Sequence, residues 1–137
     1  MSSGYGQPGA GDPYWFEWYV GLDYVISMLA GNSDIESVTF QEAGLEGVDD
    51  VVVRRSRGLP MLCVQVKHKK MTTSGTNNLT FGALVSAGSE GEGSEKSLLA
   101  SLAAGWKQIA DEEEANPEIV LYTNREIGSH RRNAVYR

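Results

Sequence analysis

The sequence predicts an α/β domain, a mixed central sheet flanked by two helices. Three observations predict it. Helical apolar periods occur early and late in the chain, three β-branched runs lie between them, and a fourth run, EIVLYT, follows the second period. The order is helix, strand, strand, strand, loop, helix, strand. At 137 residues the chain fits one domain. With 41% hydrophobic and 22% charged residues it has the composition of a folded protein with its own core.

Residues 1–12 hold four glycines, one proline and no apolar period, and read as a flexible tail ahead of a domain spanning 13–137. Asp12 can cap a helix with Pro13 at its first position. Trp15, Trp18, Tyr19, Leu22, Val25, Ile26 and Leu29 then recur at helical spacing and predict the buried face. Gly31-Asn32 ends this helix, and Gly21 within it implies close packing against a sheet. Strands are predicted over 37–42 (SVTFQE), 50–55 (DVVVRR) and 61–67 (MLCVQVK), separated by glycines and Gly58-Leu59-Pro60. Residues 71–93 read as a long polar loop with an apolar island at 79–85. Ser94 is placed to cap the second helix, whose stripe is Leu98, Leu99, Leu102, Trp106 and Ile109. The acids from Asp111 to Glu114 close it, and residues 118–123 form the last strand. Trp15, Trp18 and Trp106 are assigned to core packing.

No apolar run approaches the roughly 20 residues that span a bilayer, and the N-terminus lacks the basic and apolar regions of a secretory signal. A cytoplasmic protein is expected. The single cysteine, Cys63, excludes an internal disulfide and a cysteine-based zinc cage, and its apolar neighbours make it a buried structural thiol. A formal net charge of −6 argues against gripping nucleic acid by bulk charge. Yet residues 51–70 carry six basic residues and no acid: Arg54, Arg55, Arg57, Lys67, Lys69 and Lys70. No glycine loop of P-loop or dinucleotide-binding type is present.

The chemistry concentrates on two adjacent strands. Asp49-Asp50 opens the second strand, and Gln65-Val66-Lys67 closes the third. Paired as a hairpin, these strands bring the two groups together, and alternation puts Gln65 and Lys67 on one face. A hard cation such as Mg²⁺ takes oxygen ligands, commonly one or two carboxylates completed by water and substrate phosphate. Asp50 offers a carboxylate and Gln65 an amide oxygen. Lys67 offers a point charge for orienting water and stabilising a developing phosphorane. His68 falls on the opposite face from Lys67.

With Asp50, Gln65 and Lys67 in this order of elements, the chain resembles the PD-(D/E)XK nuclease superfamily, in the variant where Gln replaces the first residue of the E-x-K element, as in Mrr-like restriction enzymes. The string GLEGVDDVVV…MLCVQVKHKK, followed by SLLASLAAGW and LYTNR, is closer still. It is similar to the N-terminal nuclease domain of CD-NTase-associated endonucleases and related antiviral STAND proteins. The likeness covers residues 13–125 and is most specific over 44–70. It implies a restriction-endonuclease-like αβββαβ core and hydrolysis of double-stranded DNA with Mg²⁺ or Mn²⁺. It further implies an antiviral effector switched on by self-association through a sensor beyond Arg137.

Carried over by position, Asp50 matches the metal-binding acid, and Gln65 and Lys67 match the (E/Q)-x-K pair. Asp50 and Gln65 would hold metal while Lys67 assists water. Glu17 on the first helix and Asp49 are accessory candidates, and Glu42 and Glu46 could fill outer roles. Arg54, Arg55, Lys69 and Lys70 are candidate DNA contacts, and Thr123, Asn124 and Arg125 candidate substrate contacts. A catalytically silent interaction module and an RNA nuclease of the same fold are the alternative readings.

Overall fold

The computed structural model of the chain describes residues 12–31, 33–45, 47–68, 79–87, 96–112 and 116–125. Helix α1 spans Asp12–Leu29. Three strands follow, β1 (Ile35–Phe40), β2 (Val51–Arg55) and β3 (Leu62–Lys67). Two helices come next, α2 (Phe81–Val85) and α3 (Leu98–Glu112), then strand β4 (Glu118–Thr123).

The sheet order is β1-β2-β3-β4. The first two pairings are antiparallel and β3 pairs β4 in parallel. This is the mixed sheet and αβββαβ order that the sequence predicts, with the short α2 inserted. A parallel neighbour needs a crossover connection, which α3 supplies between β3 and β4.

Strand alternation sorts the core into two layers. Val51, Val53, Val64 and Val66 face Val20 of α1, with Phe16, Tyr24 and Phe40 around them. Val52 and Cys63 face Ile109 of α3, with Leu45, Val48 and Met61. The helices therefore cover opposite faces. Val51, Val52 and Val53 of β2 are buried on both faces of the sheet, which is why the strand opens on three valines in a row rather than alternating. Cys63, the only cysteine of the chain, is buried, as expected of a structural thiol.

Several expectations are corrected. The stripe assigned to the core on α1 is mostly on its outer side: Trp15 is 74% exposed, Leu29 77%, and Trp18, Tyr19, Leu22 and Ile26 are also exposed. The face against the sheet is instead Phe16–Val20–Tyr24, at i, i+4, i+8. The helix is apolar nearly all round, so periodicity finds two stripes and cannot rank them. Close approach to the sheet decides, because it demands a small residue: a Cβ at Gly21 would lie 2.1 Å from the Phe40 ring.

Trp106 is likewise half-exposed, its indole N–H donating to the Pro117 carbonyl at 2.9 Å. β1 ends at Phe40 rather than at residue 42, because Gln41 turns into the left-handed region at φ 50°. Ser97 caps α3, its Oγ accepting from Ala100 N at 3.2 Å, one residue before the helix begins. The Ser94 expected there lies outside the described residues. The apolar island at 79–85 contains the one-turn α2, capped by Thr80.

Gly47 joins the loop before β2 to α3. Its φ is +84°, and a Cβ there would sit 3.2 Å from the Ser101 carbonyl oxygen. Gly47→Ala therefore meets both left-handed strain and a backbone contact, and is expected to cost about 1–2 kcal/mol. A lower urea midpoint at unchanged slope checks this; an unchanged midpoint contradicts it.

Candidate functional site

Asp50 lies just before β2, where the β2–β3 ladder runs out. The last paired residues are Val51 and Val64. Beyond them the Val66 backbone N–H has no opposing carbonyl in that ladder and must find another acceptor. Asp50 supplies it: its Oδ2 accepts from Val66 N at 2.6 Å. The same oxygen accepts from Gln65 Nε2 at 2.5 Å.

The second of these bonds sets the orientation of the Gln65 amide. Its nitrogen must face the carboxylate, since the reverse would set oxygen against oxygen. The residue is 4% exposed, and its Oε1 is a buried acceptor with no hydrogen-bond partner among the described residues. Leaving such an atom unsatisfied costs roughly 1–3 kcal/mol, so it marks a place for a ligand. Lys67, two residues on, shares the strand face with Gln65 and is partly exposed. The group lies at the carboxyl ends of the parallel pair β3 and β4, the usual binding end of such sheets.

The Asp50 carboxyl is pushed up to about 6 from 3.8. Burial is the largest cause. The Val66 N–H opposes it, the Glu17 and Asp49 charges raise it further, and Lys67 lowers it. Glu17 and Asp49 are thus both within electrostatic reach, as the sequence suggests.

Glu17 is held by a residue that the sequence reading passed over. Gln41 donates from Nε2 to Glu17 Oε2 at 3.2 Å, and from its backbone N to the Asp50 carbonyl at 3.0 Å. It ties α1 to the strand that carries Asp50. Only its positive φ distinguishes it, and that has no sequence signature outside Gly, Asn and Asp.

Other candidates are not brought to this end. Arg54 and Arg55 lie at the far end of β2. Arg54 forms a two-pronged ion pair with Glu42 on the edge of the sheet, one arm at 2.8 Å. It holds the Glu42 carboxyl below its ordinary range, chiefly by hydrogen bonding. Arg55 donates from Nε to the Pro60 carbonyl at 2.7 Å and pairs with Glu118 at 3.0 Å. Arg57 pairs with Asp34 at 3.4 Å. The basic cluster seen in sequence thus splits, with these arginines fastening strands. Glu42 serves that fastening, and its backbone N donates to the Asp49 carbonyl at 3.0 Å.

Thr123 also has a local task. Its Oγ1 donates to the Lys67 carbonyl at 2.7 Å and accepts from Arg125 N at 3.1 Å, pinning the end of β3. His68 packs on Phe16, ring centroids 5.0 Å apart, on the α1 side away from Lys67. Glu46, Lys69 and Lys70 lie outside the described residues.

Among the described residues no cluster of three or more His, Cys, Asp or Glu is placed to hold a metal. The donors that fit one are fewer and of mixed type: the Asp50 carboxylate and the orphaned Gln65 Oε1. Two protein oxygens suit Mg²⁺, which keeps several waters and binds substrate phosphate. No helix among the described residues is long and apolar enough to cross a membrane. No protein-family model, curated protein or solved structure matches the chain.

A carboxyl group raised in the folded state holds its proton longer than in the unfolded chain. Between pH 3.8 and about 6 the folded state therefore binds more protons, and this group's contribution to stability falls as pH rises. Asp50→Asn keeps an oxygen for Val66 N and Gln65 Nε2 but removes the buried charge. In metal-free buffer it is expected to raise Tm at pH 7–8 and leave it unchanged below pH 4. Asp50→Ala orphans both donors and is expected to lower stability by about 1–3 kcal/mol. Melting curves of the two variants across pH check this; equal losses at every pH contradict it.

Proposed function

We propose that the protein is a divalent-metal-dependent phosphodiesterase acting on double-stranded DNA. The observation that carries the reading is the half-buried Asp50 carboxylate beside Gln65 Oε1, which has no hydrogen-bond partner among the described residues, with Lys67 on the same strand face.

Asp50 and Gln65 Oε1 would hold the cation. A dication bound there supplies Lewis acidity, polarising the phosphate and acidifying the attacking water. The chain's own groups do the rest. Gln65 Nε2 and Val66 N both bind Asp50 Oδ2 and hold the carboxylate in one orientation. Lys67 Nζ positions water and offsets negative charge as it builds on the phosphorus oxygens. Glu17 and Asp49 keep the local field negative, which favours a cation and raises the carboxyl that receives it. Nothing in these steps depends on Arg54 or Arg55.

Duplex DNA as substrate comes from the resemblance to PD-(D/E)XK nucleases. So do a cytoplasmic antiviral setting and activation by self-association through a sensor beyond Arg137. The geometry supports the metal and phosphate chemistry. It bears equally on RNA, whose phosphodiester is the same reacting group.

Supercoiled plasmid incubated with the protein and Mg²⁺, Mn²⁺ or EDTA tests this. Metal-dependent nicking is expected, with Lys67→Ala reduced at least about 100-fold, the scale of losing one stabilising donor. Labelled duplex RNA in parallel separates the substrates. Cutting that survives EDTA, or equal cutting by Lys67→Ala, contradicts the proposal.

A further inference from the structure

The outer face of α1 is an apolar seam that the described elements leave largely open; at its edge Trp18 touches Phe40 of β1, ring centroids 5.5 Å apart, and Val25 is half-buried. Among those elements α1 packs on β1, β2 and β3 and, through Phe16, on Tyr122 of β4, chiefly through its other side. A soluble-domain helix normally shows one apolar stripe; one apolar on both sides is buried on both.

The seam repeats every seven residues. Trp15, Leu22 and Leu29 form one row, Trp18 and Val25 a second, and Tyr19 and Ile26 a third. Such a repeat fits a partner helix. No charged residue lies in these rows: Glu17 and Asp23 fall outside them. A partner of opposite charge therefore finds nothing to pair with along the seam, and a second copy meets no like charge.

Size is graded along it. The bulky residues Trp15, Trp18 and Tyr19 occupy the first half, and Val25, Ile26 and Leu29 the second. Run antiparallel to itself about Leu22, the helix would set Trp15 against Leu29, Trp18 against Ile26 and Tyr19 against Val25. Every large side chain meets a smaller one. The groove of about 380 Å³ lined by Tyr14, Trp15, Trp18 and Gln41 would then receive the partner's aliphatic half. A parallel pairing would stack tryptophan on tryptophan.

The area suffices. With aromatics carrying roughly 150–250 Å² each, the exposed side chains from Tyr14 to Leu29 present on the order of 1,000 Å², against roughly 800 Å² per partner in a standard interface.

We infer that the protein forms a two-fold homodimer through antiparallel packing of α1 on α1, centred on Leu22. The inference stands independently of the hydrolase reading. Each copy carries a net charge of −6, so added salt screens repulsion between copies and does not weaken the pair.

Sedimentation of the 137-residue chain tests it. A species of twice the 14.9 kDa chain mass is expected at micromolar concentration, retained in high salt and lost in Leu22→Asp. Cysteine cross-linking tests the geometry and does not rely on that variant folding, since the native Cys63 is buried. Leu22→Cys should form a disulfide dimer. Trp15→Cys should cross-link with Leu29→Cys but not with itself. A monomer at every concentration overturns the inference. So does a dimer whose Leu22→Cys form fails to cross-link, or one in which Trp15→Cys links to itself.

Discussion

The rest of the site depends on one half-buried carboxylate at the point where two strands stop pairing. Asp50 takes over as acceptor for the Val66 N–H when the β2–β3 ladder runs out, so the chain needs an oxygen there to finish its own backbone bonding. The same oxygen draws in the Gln65 nitrogen and leaves the amide oxygen buried without a donor among the described residues. Burial makes the charge costly, and two further acids make it more so. Arrangements that spend stability in this way gather at functional sites.

The two ends of the sheet are built differently. At the β2–β3 turn Arg55 and Arg57 each meet an acid, and Arg54 reaches back along the sheet to Glu42, whose backbone N donates to the Asp49 carbonyl. At the other end, the acids Glu17, Asp49 and Asp50 share one neighbourhood with Lys67 and raise the carboxyl they surround. The acidic balance of the whole chain is thus compatible with phosphate chemistry, provided a cation mediates it.

The element order was legible in the sequence because the strands are β-branched runs cut by glycines and prolines. The Asp50, Gln65 and Lys67 group was legible for a related reason: strand alternation and a short hairpin leave little freedom in where those residues fall. α1 was misread because its two apolar stripes are equivalent by periodicity. Only Gly21 against Phe40 distinguishes the inner one, and that is a tertiary contact. The arginines were misread because charge in a row along the chain says nothing about which acids lie across the sheet. Glu42 is twelve residues from Arg54 and Glu118 sixty-three from Arg55, yet each is an immediate neighbour in space. Gln41 was invisible because its role rests on a backbone angle.

The central claim is that Asp50 and Gln65 Oε1 together form a cation site. It is tested most directly by crystals soaked in Mn²⁺, with diffraction recorded at the manganese absorption edge. The account predicts an anomalous peak at about 2.0–2.2 Å from both an Asp50 carboxylate oxygen and Gln65 Oε1, completed by waters. Density for a water donating to Oε1, with manganese elsewhere or absent, would contradict it.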